Sequence, residues 1–284
     1  MDFFKIKIKR RLPLIKIDIF GIKYYFLLDT GATYSMLNSN YFNDNEVVNK
    51  IYDSKIYGLT SKFSETIVFK QISFINNYNE YKLTGIVNDL NYIERLLNVR
   101  FGGIIGNNFF GKKSLFLSYK RKKMYFLDSK NKKNILNKKK KIELVDYNIT
   151  NNIKYISVEV LNNKCNFILD TGASLNILSN RFFDNYRKNF IRLVKNIEIT
   201  GFNGNYSNAS IYISKKVRVS DKIVLKYKLF SVVEMEDVLE FLESDIRGIL
   251  GYSFFKKYEL LFDYKNKKLF IMRGLIWKKV MSNF

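Results

Sequence analysis

One eight-residue pattern occurs twice in this chain, and the repeat constrains the fold more than any other feature. Phe26–Thr33 reads FLLDTGAT, and Phe167–Ser174 reads FILDTGAS, 141 residues later. A single Asp-Thr-Gly is most simply an Asx-type turn, but turn chemistry does not require the same apolar strand before both copies. A fixed-offset repeat indicates duplicated structural units, so the pattern predicts two equivalent halves.

The repeat extends well beyond the motif, because four further landmarks occur in the same order in both halves. They are the alternating segments Ile15–Gly21 and Ile156–Asn162, the glycine-containing segments Ile56–Leu59 and Ile199–Phe202, the apolar-glycine segments Gly103–Phe110 and Gly248–Phe255, and the basic turns Tyr119–Phe126 and Tyr264–Ile271. Their offsets drift by only a few residues. We therefore interpret the chain as a tandem duplication.

Composition agrees with two small, mostly β lobes. Of the 284 residues, 47% are hydrophobic and 16% aromatic, so the chain is long enough to bury two cores. Ile, Val, Phe and Tyr occur in alternating or short continuous runs, which predicts strands. Short helices are predicted at Asn88–Asn98, Asn107–Lys113, Met235–Glu243 and Tyr252–Lys257.

The landmarks divide the chain into five segments. We expect an N-terminal strand or extension at 1–12, an N-terminal lobe at 13–128, a basic interlobe linker at 129–150, a C-terminal lobe at 151–273 and a tail at 274–284. The linker contains Lys138–Lys141, a four-lysine run that is most simply exposed to solvent, and few core-forming residues before Ile142.

Missing residue types exclude several chemistries. The chain has no histidine, which excludes imidazole-dependent hydrolase triads and the common histidine-containing zinc sites. No acidic cluster has the spacing of a calcium loop, so neither a metal nor another cofactor is expected. The single cysteine, Cys165, forms no internal disulfide, and we interpret it as buried and structural rather than reactive.

The formal charge of +23 raises the alternative of a nucleic-acid partner. The lysines are spread over predicted strands and turns, and the bias towards Lys, Asn and Ile is typical of low-GC coding, so this alternative is the weaker one. A positive field would still favour acidic or anionic polypeptide substrates. The first residues lack the continuous apolar region of a secretory signal, and no run resembles a membrane span, so a cytoplasmic protein is expected.

The duplication predicts that two carboxyl groups act together. Asp29 and Asp170 each follow a buried strand, where desolvation raises the pKa of a carboxyl group. Within about 3 Å of each other the two cannot both be charged, so they share one proton and titrate as a pair. One can act as general base on a water while the other donates a proton to the carbonyl under attack. This chemistry suits amide hydrolysis without a metal or a covalent intermediate.

The residues that follow each aspartate have matching roles. Gly31 and Gly172 let the backbone approach the opposite carboxylate, where a Cβ would intrude. The hydroxyls of Thr30 and Thr171 are expected to bridge the two loops beneath the carboxylates and fix their spacing.

Together these residues make the chain resemble the aspartic proteases of the pepsin and retropepsin superfamily. The resemblance covers Leu14–Met272. It implies a mainly β fold of two similar, closed, β-barrel-like lobes related by a pseudo-two-fold axis, with few short helices and a substrate cleft between the lobes. It also implies that Asp29 and Asp170 are the catalytic pair, that Thr30 and Thr171 interlock, and that Phe3–Lys9 joins an interlobe sheet with the ends of both lobes.

The alanines of the motif and the flap positions can be compared with the pepsin-like and retropepsin-like branches of the superfamily. Ala32 and Ala173 resemble the retropepsin motif, because many pepsin-like enzymes have a hydroxyl residue there. Without that hydroxyl the pair keeps its proton to higher pH, so we expect activity at weakly acidic to neutral pH. The resemblance places substrate-binding flaps at Tyr57 with Gly58 and at Gly201; a packed hairpin aromatic is the alternative for Tyr57.

The sequence thus predicts an aspartic endopeptidase that binds an extended polypeptide. One chain supplies both carboxylates, so a monomer is expected to be active. Two alternatives stay open: a peptide-binding module of the same fold that has lost turnover, and a basic nucleic-acid-associated protein. The intact motif in both halves counts against the first, and a steep salt dependence of nucleic-acid binding would indicate the second.

Overall fold

The computed structural model describes residues 3–42, 47–58, 61–76, 78–110, 114–138, 141–200, 206–235, 242 and 245–273. The N-terminal half contains β1 (Phe3–Lys9), β2 (Leu12–Ile19), β3 (Ile22–Leu28), β4 (Ser35–Asn38), β5 (Val47–Gly58), β6 (Ser61–Asn76), β7 (Asn79–Asn88), α1 (Asn91–Leu97), β8 (Phe101–Ile105), α2 (Asn107–Phe110), β9 (Ser114–Ser118) and β10 (Lys123–Leu127).

The remainder of the described chain begins with a helix and continues with strands. It contains α3 (Ser129–Lys138), β11 (Lys141–Asp146), β12 (Asn148–Thr150), β13 (Ile153–Val160), β14 (Asn163–Leu169), β15 (Asn176–Ser179), α4 (Asn180–Tyr186), a 3-10 turn (Arg187–Asn189), β16 (Phe190–Thr200), β17 (Tyr206–Arg218), β18 (Val224–Val233), β19 (Ile246–Leu250), α5 (Tyr252–Phe255), β20 (Tyr258–Asp263) and β21 (Lys268–Arg273).

The two halves have the same strand connectivity. The N-terminal lobe has the sheet order β1-β2-β3-β8-β4-β7-β6-β5, and the C-terminal lobe has the order β12-β13-β14-β19-β15-β18-β17-β16. In each lobe the strand before the motif runs parallel to the Gly-Ile-Ile or Gly-Ile-Leu strand, β3 with β8 and β14 with β19. A further pairing of β13 with β17 curls the C-terminal sheet back on itself. The predicted mainly β fold of two similar lobes is confirmed.

A shared sheet joins the lobes. Its order is β11-β21-β20-β9-β10-β1, and the lobes meet where β9 pairs with β20. Residues 3–5 of β1 pair with β10, while residues 6–9 pair with β2, so this one strand belongs to both sheets. In the C-terminal half, two strands separated by Tyr147 do what β1 does alone. Strand β11 pairs with β21 of the interlobe sheet, and β12 pairs with β13 of the C-terminal lobe. The expectation that Phe3–Lys9 joins an interlobe sheet is confirmed.

The segment between the lobes has regular structure. It forms α3, whose Lys132 Nζ lies 2.7 Å from Asp263 Oδ2 of β20, and β11, which pairs with β21. Ile135 and Leu136 of α3 pack against a buried cluster that includes Phe116 and Phe270. These residues therefore contribute to the body of the protein as well as connecting the lobes. The exact limits of the five segments stay a prediction.

The helix predictions have mixed outcomes. Helices α1, α2 and α5 lie within the ranges predicted for them; α1 and α5 are shorter, and residues 111–113 of the range predicted for α2 lie outside the described residues. The predicted helix at Met235–Glu243 lies outside the described residues apart from Met235 and Leu242, and so does the tail at 274–284. Helix α4 has no counterpart in the predictions. Its first turn is capped by Ser179, whose Oγ accepts a hydrogen bond from Phe182 N.

Burial follows the alternation that predicted the strands. In β13 the residues Ile156, Val158 and Val160 are buried while those between them are partly exposed. Cys165 is buried, 3% exposed, and its Sγ lies 3.3 Å from Asn163 O, in agreement with a structural role. In the described part of the chain, no helix is long and apolar enough to span a membrane.

Candidate active site

The two motif copies lie directly after β3 and β14 and meet at the junction of the lobes. Asp29 N donates to Ile105 O at 3.0 Å, and Asp170 N donates to Leu250 O at 3.1 Å. The carbonyls come from the last residues of β8 and β19, which are the apolar-glycine landmarks of the sequence. Each aspartate is thus fixed to the end of the strand that runs parallel to its own.

The two threonines lock the loops together. Thr30 Oγ1 donates to Leu169 O and Thr171 Oγ1 donates to Leu28 O, each at 2.7 Å. In return, Thr30 N donates to Thr171 Oγ1 and Thr171 N donates to Thr30 Oγ1, each at 3.0 Å. Both threonines are 0% exposed, so no water competes for these four bonds. The predicted interlock is present and crosses between the lobes.

The glycines hold the backbone of each loop against the opposite carboxyl group. A Cβ at Gly31 would lie 2.5 Å from Asp170 Cγ, and a Cβ at Gly172 would lie 2.5 Å from Asp29 Cγ. Real Cβ atoms do not approach carbon so closely, so any side chain at either position would push the carboxyl groups apart. The predicted close approach is observed in both directions.

The carboxyl groups accept hydrogen bonds from their own loops and lie close to each other. Asp29 Oδ1 accepts from Gly31 N at 2.8 Å and from Ala32 N at 3.0 Å, and Asp170 Oδ1 accepts from Gly172 N at 2.6 Å. Each carboxyl group lies against the glycine of the opposite loop, so that the charges of the two groups interact. Two ionised carboxylates are both acceptors and repel each other, so a proton on one of them stabilises the pair.

Burial raises the pKa of both aspartates. For Asp29 the rise is opposed by the interaction with the Asp170 side chain and by the hydrogen bonds from Gly31 N and Ala32 N. The pKa of Asp170 is raised well above its ordinary value, first by burial and then by the interaction with the negatively charged Asp29 side chain. The pair therefore retains one proton at a pH where an exposed aspartate would be ionised.

The surroundings of the two loops differ between the lobes. Around the first loop, Ser35 N and Oγ both donate to Asn108 Oδ1, and Gly106 N donates to Ser35 Oγ at 3.0 Å. Around the second loop, a single residue replaces this network, since Asn176 Oδ1 accepts from Gly251 N at 3.0 Å. The halves are equivalent in backbone and distinct in side chains.

Three residues near the pair were not predicted from the sequence. Asn107 Nδ2 donates to Thr30 O at 2.8 Å and to Ala32 O at 2.9 Å, and Lys154 Nζ donates to Asn107 Oδ1. Burial, and then the charges of Asp170 and Asp29, raise the pKa of Tyr119 well above its ordinary value. No periodicity or motif identified them, because all three act through contacts between distant segments.

The predicted flap residues are described only in part. Tyr57 and Gly58 end β5, where they pair with Lys62 and Ser61 of β6, so a hairpin is present at this position. Gly201 lies outside the described residues, between β16 and β17. Contact of either hairpin with substrate stays a prediction. Among the described residues, no group of three potential metal-ligating side chains lies together.

Comparison with known proteins supports this architecture. Residues 156–254 match the family model described as aspartyl protease. No curated protein sequence matches the chain. Two solved structures resemble it. Conglutin gamma, a basic 7S globulin from lupine seeds, has 12% identity and a TM-score of 0.57, and the match covers 96% of this chain and 95% of that one. The basic 7S globulin from soybean has 10% identity and a TM-score of 0.57, and the match covers 95% of both chains. At these identities the likeness establishes the fold alone, which is pepsin-like.

The threonine interlock leads to a stability prediction. Replacing Thr30 by Val keeps the shape but leaves Leu169 O and Thr171 N buried without their partner, which we expect to lower the free energy of unfolding by about 3 kcal/mol. Thr30→Ser keeps the hydroxyl and is expected to cost about 1 kcal/mol or less. Urea denaturation, followed by far-ultraviolet circular dichroism, measures the free energy of unfolding of both variants.

Thr33→Val is the matched control for that experiment. Thr33 Oγ1 also donates across the lobes, to Asn151 O at 2.9 Å, but in an exposed position where water replaces the lost partner. Equal losses for Thr30→Val and Thr33→Val would contradict the importance of the buried interlock.

Proposed function

We propose that this chain, whose residues 156–254 match the aspartyl protease family model and whose fold is pepsin-like, is an aspartic endopeptidase. The observation that carries the proposal is the meeting of two buried carboxyl groups at the junction of two equivalent loops, where Asp29 lies against Gly172 and Asp170 lies against Gly31. A structural turn would need neither the second aspartate nor the glycines that hold the two carboxyl groups together. General acid–base catalysis needs both.

In the proposed mechanism the two carboxyl groups have different roles. Asp29 is ionised and takes a proton from a water as that water attacks the peptide carbonyl carbon. Asp170 donates its proton to the carbonyl oxygen, which gives a neutral tetrahedral diol. Collapse of the diol returns a proton to Asp170 from one hydroxyl and transfers the proton on Asp29 to the departing amine. Both residues end in their starting states, and no covalent intermediate forms.

The proposed substrate is a polypeptide in an extended conformation. A strand-like segment lying across the pair would hydrogen-bond to the edges of the flanking hairpins, of which β5–β6 is one. The net charge of +23 would favour acidic polypeptides. Both carboxyl groups belong to one chain, so we propose that the monomer is the active form.

A peptide-binding module without turnover is the second candidate. It is favoured by the similar solved structures, which are described as globulins. Against it stand both aspartates, both threonines and both glycines of the paired loops, which a binding function would not require. Nucleic-acid binding has no comparable support beyond the net charge.

Cleavage of an unfolded protein separates these candidates. We expect the wild type to cleave reduced, alkylated protein between pH 3 and 8, and Asp29→Asn and Asp170→Asn each to lower kcat by about 1,000-fold, because neither variant can share a proton as the pair does. Asp184→Asn, which removes an exposed carboxylate of α4, is the control and is expected to leave the rate unchanged.

Two results would contradict the enzymatic proposal. Cleavage that persists in either Asn variant would exclude the shared-proton mechanism. A wild type that binds the unfolded substrate but does not cleave it at any pH would favour the peptide-binding module.

The alanines of the motif lead to a prediction about pH. Ala32 and Ala173 offer no hydroxyl to the carboxylates, so the pair is expected to work at weakly acidic to neutral pH. In Ala32→Ser or Ala173→Ser a hydroxyl would donate to the ionised form, lower the apparent pKa of the pair, and move the optimum about 0.5–1 unit to more acidic pH. A pH–rate profile of kcat for each variant measures the shift. A wild-type optimum well below pH 4, or no shift in either variant, would contradict this explanation.

A further inference from the structure

A buried lysine lies beneath the first catalytic loop. Lys154, on β13, is 3% exposed. Its Nζ donates to Asn107 Oδ1 of α2, lies 3.4 Å from Asn152 O, and lies 4.5 Å from the centroid of the Tyr264 ring. Among the described carboxylates none forms an ion pair with it. A buried ammonium is normally paired with a carboxylate, so this placement calls for a reason.

The partner of the lysine is bonded to the catalytic loop. Asn107, itself 7% exposed, donates from Nδ2 to Thr30 O at 2.8 Å and to Ala32 O at 2.9 Å, and its backbone N donates to Ala32 O at 2.9 Å. These two carbonyls flank Gly31, whose N–H contacts the Asp29 carboxylate. An ammonium group can only donate, so the oxygen of the Asn107 side chain must face Lys154. The Nδ2 group then faces the loop, where both of its hydrogens are donated to carbonyls.

The connection also crosses between the lobes. Lys154 belongs to the C-terminal lobe, while Asn107 and the Asp29 loop belong to the N-terminal one. The contact therefore exists only when the two lobes are docked against each other.

The other half of the duplication has no such device. The residue of the N-terminal lobe that is equivalent to Lys154 is Pro13 of β2. The strand register shows this, because Leu14 pairs with Leu27 in one lobe and Tyr155 pairs with Ile168 at the same place in the other. The position of Asn107, directly after the apolar-glycine strand, is occupied by Tyr252, whose ring lies 5.6 Å from that of Tyr119. Aromatic packing fills the space there. The lysine and the asparagine thus serve the Asp29 loop alone.

We propose that Lys154 is a positioning residue, which acts through Asn107 to hold the loop of Asp29 in its catalytic geometry when the lobes are docked. The inference rests on the proposed protease function for its kinetic consequences, but the geometry that carries it is independent of substrate. It assigns a role in the reaction to a residue that touches neither carboxyl group.

The charge of the lysine adds a pH dependence. Burial lowers the pKa of Lys154 to about 7. The groups that face Nζ are the Asn107 amide, the Asn152 carbonyl and Tyr264, whose own pKa burial and Tyr147 raise well above its ordinary value. Asp263, next to Tyr264 in the chain, is bonded to Lys132. As pH rises through about 7 the charge-assisted bond to Asn107 becomes a weaker neutral one, so the hold on the loop weakens.

Lys154→Met tests the role, because methionine fills a similar volume without charge or donor. We expect kcat to fall about 10- to 100-fold with KM changed less than about 3-fold, since the loop and not the cleft is disturbed. The fall in kcat above pH 7 that arises from Lys154 should disappear in this variant. Lys228→Met is the control; Lys228, on β18, also has its pKa lowered, to about 8, by partial burial and the neighbouring Lys257, and its loss should leave kcat and its pH profile unchanged.

A second variant covers the case in which Lys154→Met does not fold. Asn107→Ala removes the same connection from the other side and should give the same loss of kcat. Where both single variants fold, the double variant should be no slower than the slower single one, because the two residues act as one unit. Independent, additive losses would overturn the proposal.

Amide hydrogen exchange separates this inference from the protease proposal. In Lys154→Met, or in Asn107→Ala if the first variant is unstable, exchange at Gly31 and Ala32 should accelerate about 10-fold or more while exchange at Gly172 stays as in the wild type. If the wild type proves inactive, this measurement alone decides. Unchanged exchange at Gly31 and Ala32, or equal acceleration in both loops, would overturn the positioning role.

Discussion

The fold holds two carboxyl groups close together although they repel each other when both are ionised. Two carboxyl groups face each other in a partly buried site where only one of them can be ionised at low cost, and four buried hydrogen bonds between Thr30 and Thr171 prevent the loops from separating. The surrounding elements serve this arrangement. The parallel strands β8 and β19 hold the aspartate backbones, and glycines at 31 and 172 leave space for the opposite side chain.

Duplication explains why this arrangement is available to a single chain. Each half folds with the same connectivity, and the interlobe sheet joins the halves in a nearly symmetric order, with β9 against β20 at its centre. The symmetry ends at the side chains. Asn107 and Lys154 support one loop, whereas Tyr252 and Pro13 occupy the equivalent positions of the other. Two chemically identical residues thus lie in loops with different supports.

Much of this could be predicted from the sequence because the decisive signals are local and repeated. Asp29 and Asp170 were identified by the repeated sequence motif around them. The strands were identified by alternating apolar and polar residues, a pattern that indicates one buried face. Helix α4 was missed because its aromatic residues favour a strand, and its stability comes from the Ser179 cap and the packing of Phe182 and Phe183. Lys154 could not be found at all. Its burial results from the docking of two lobes, and a lysine in an alternating strand is otherwise read as exposed.

The pH dependence of stability tests most directly whether folding makes the two aspartates share one proton. A carboxyl group whose pKa is raised on folding destabilises the native state as pH rises from its unfolded value, about 3.9, through its folded one. The free energy of unfolding should therefore be higher for Asp170→Asn than for the wild type at pH 7, and the difference should shrink to nothing once both carboxyl groups are protonated in acid. Asp184→Asn should show no such difference. Parallel stability curves for the wild type and Asp170→Asn across this pH range would contradict the shared proton.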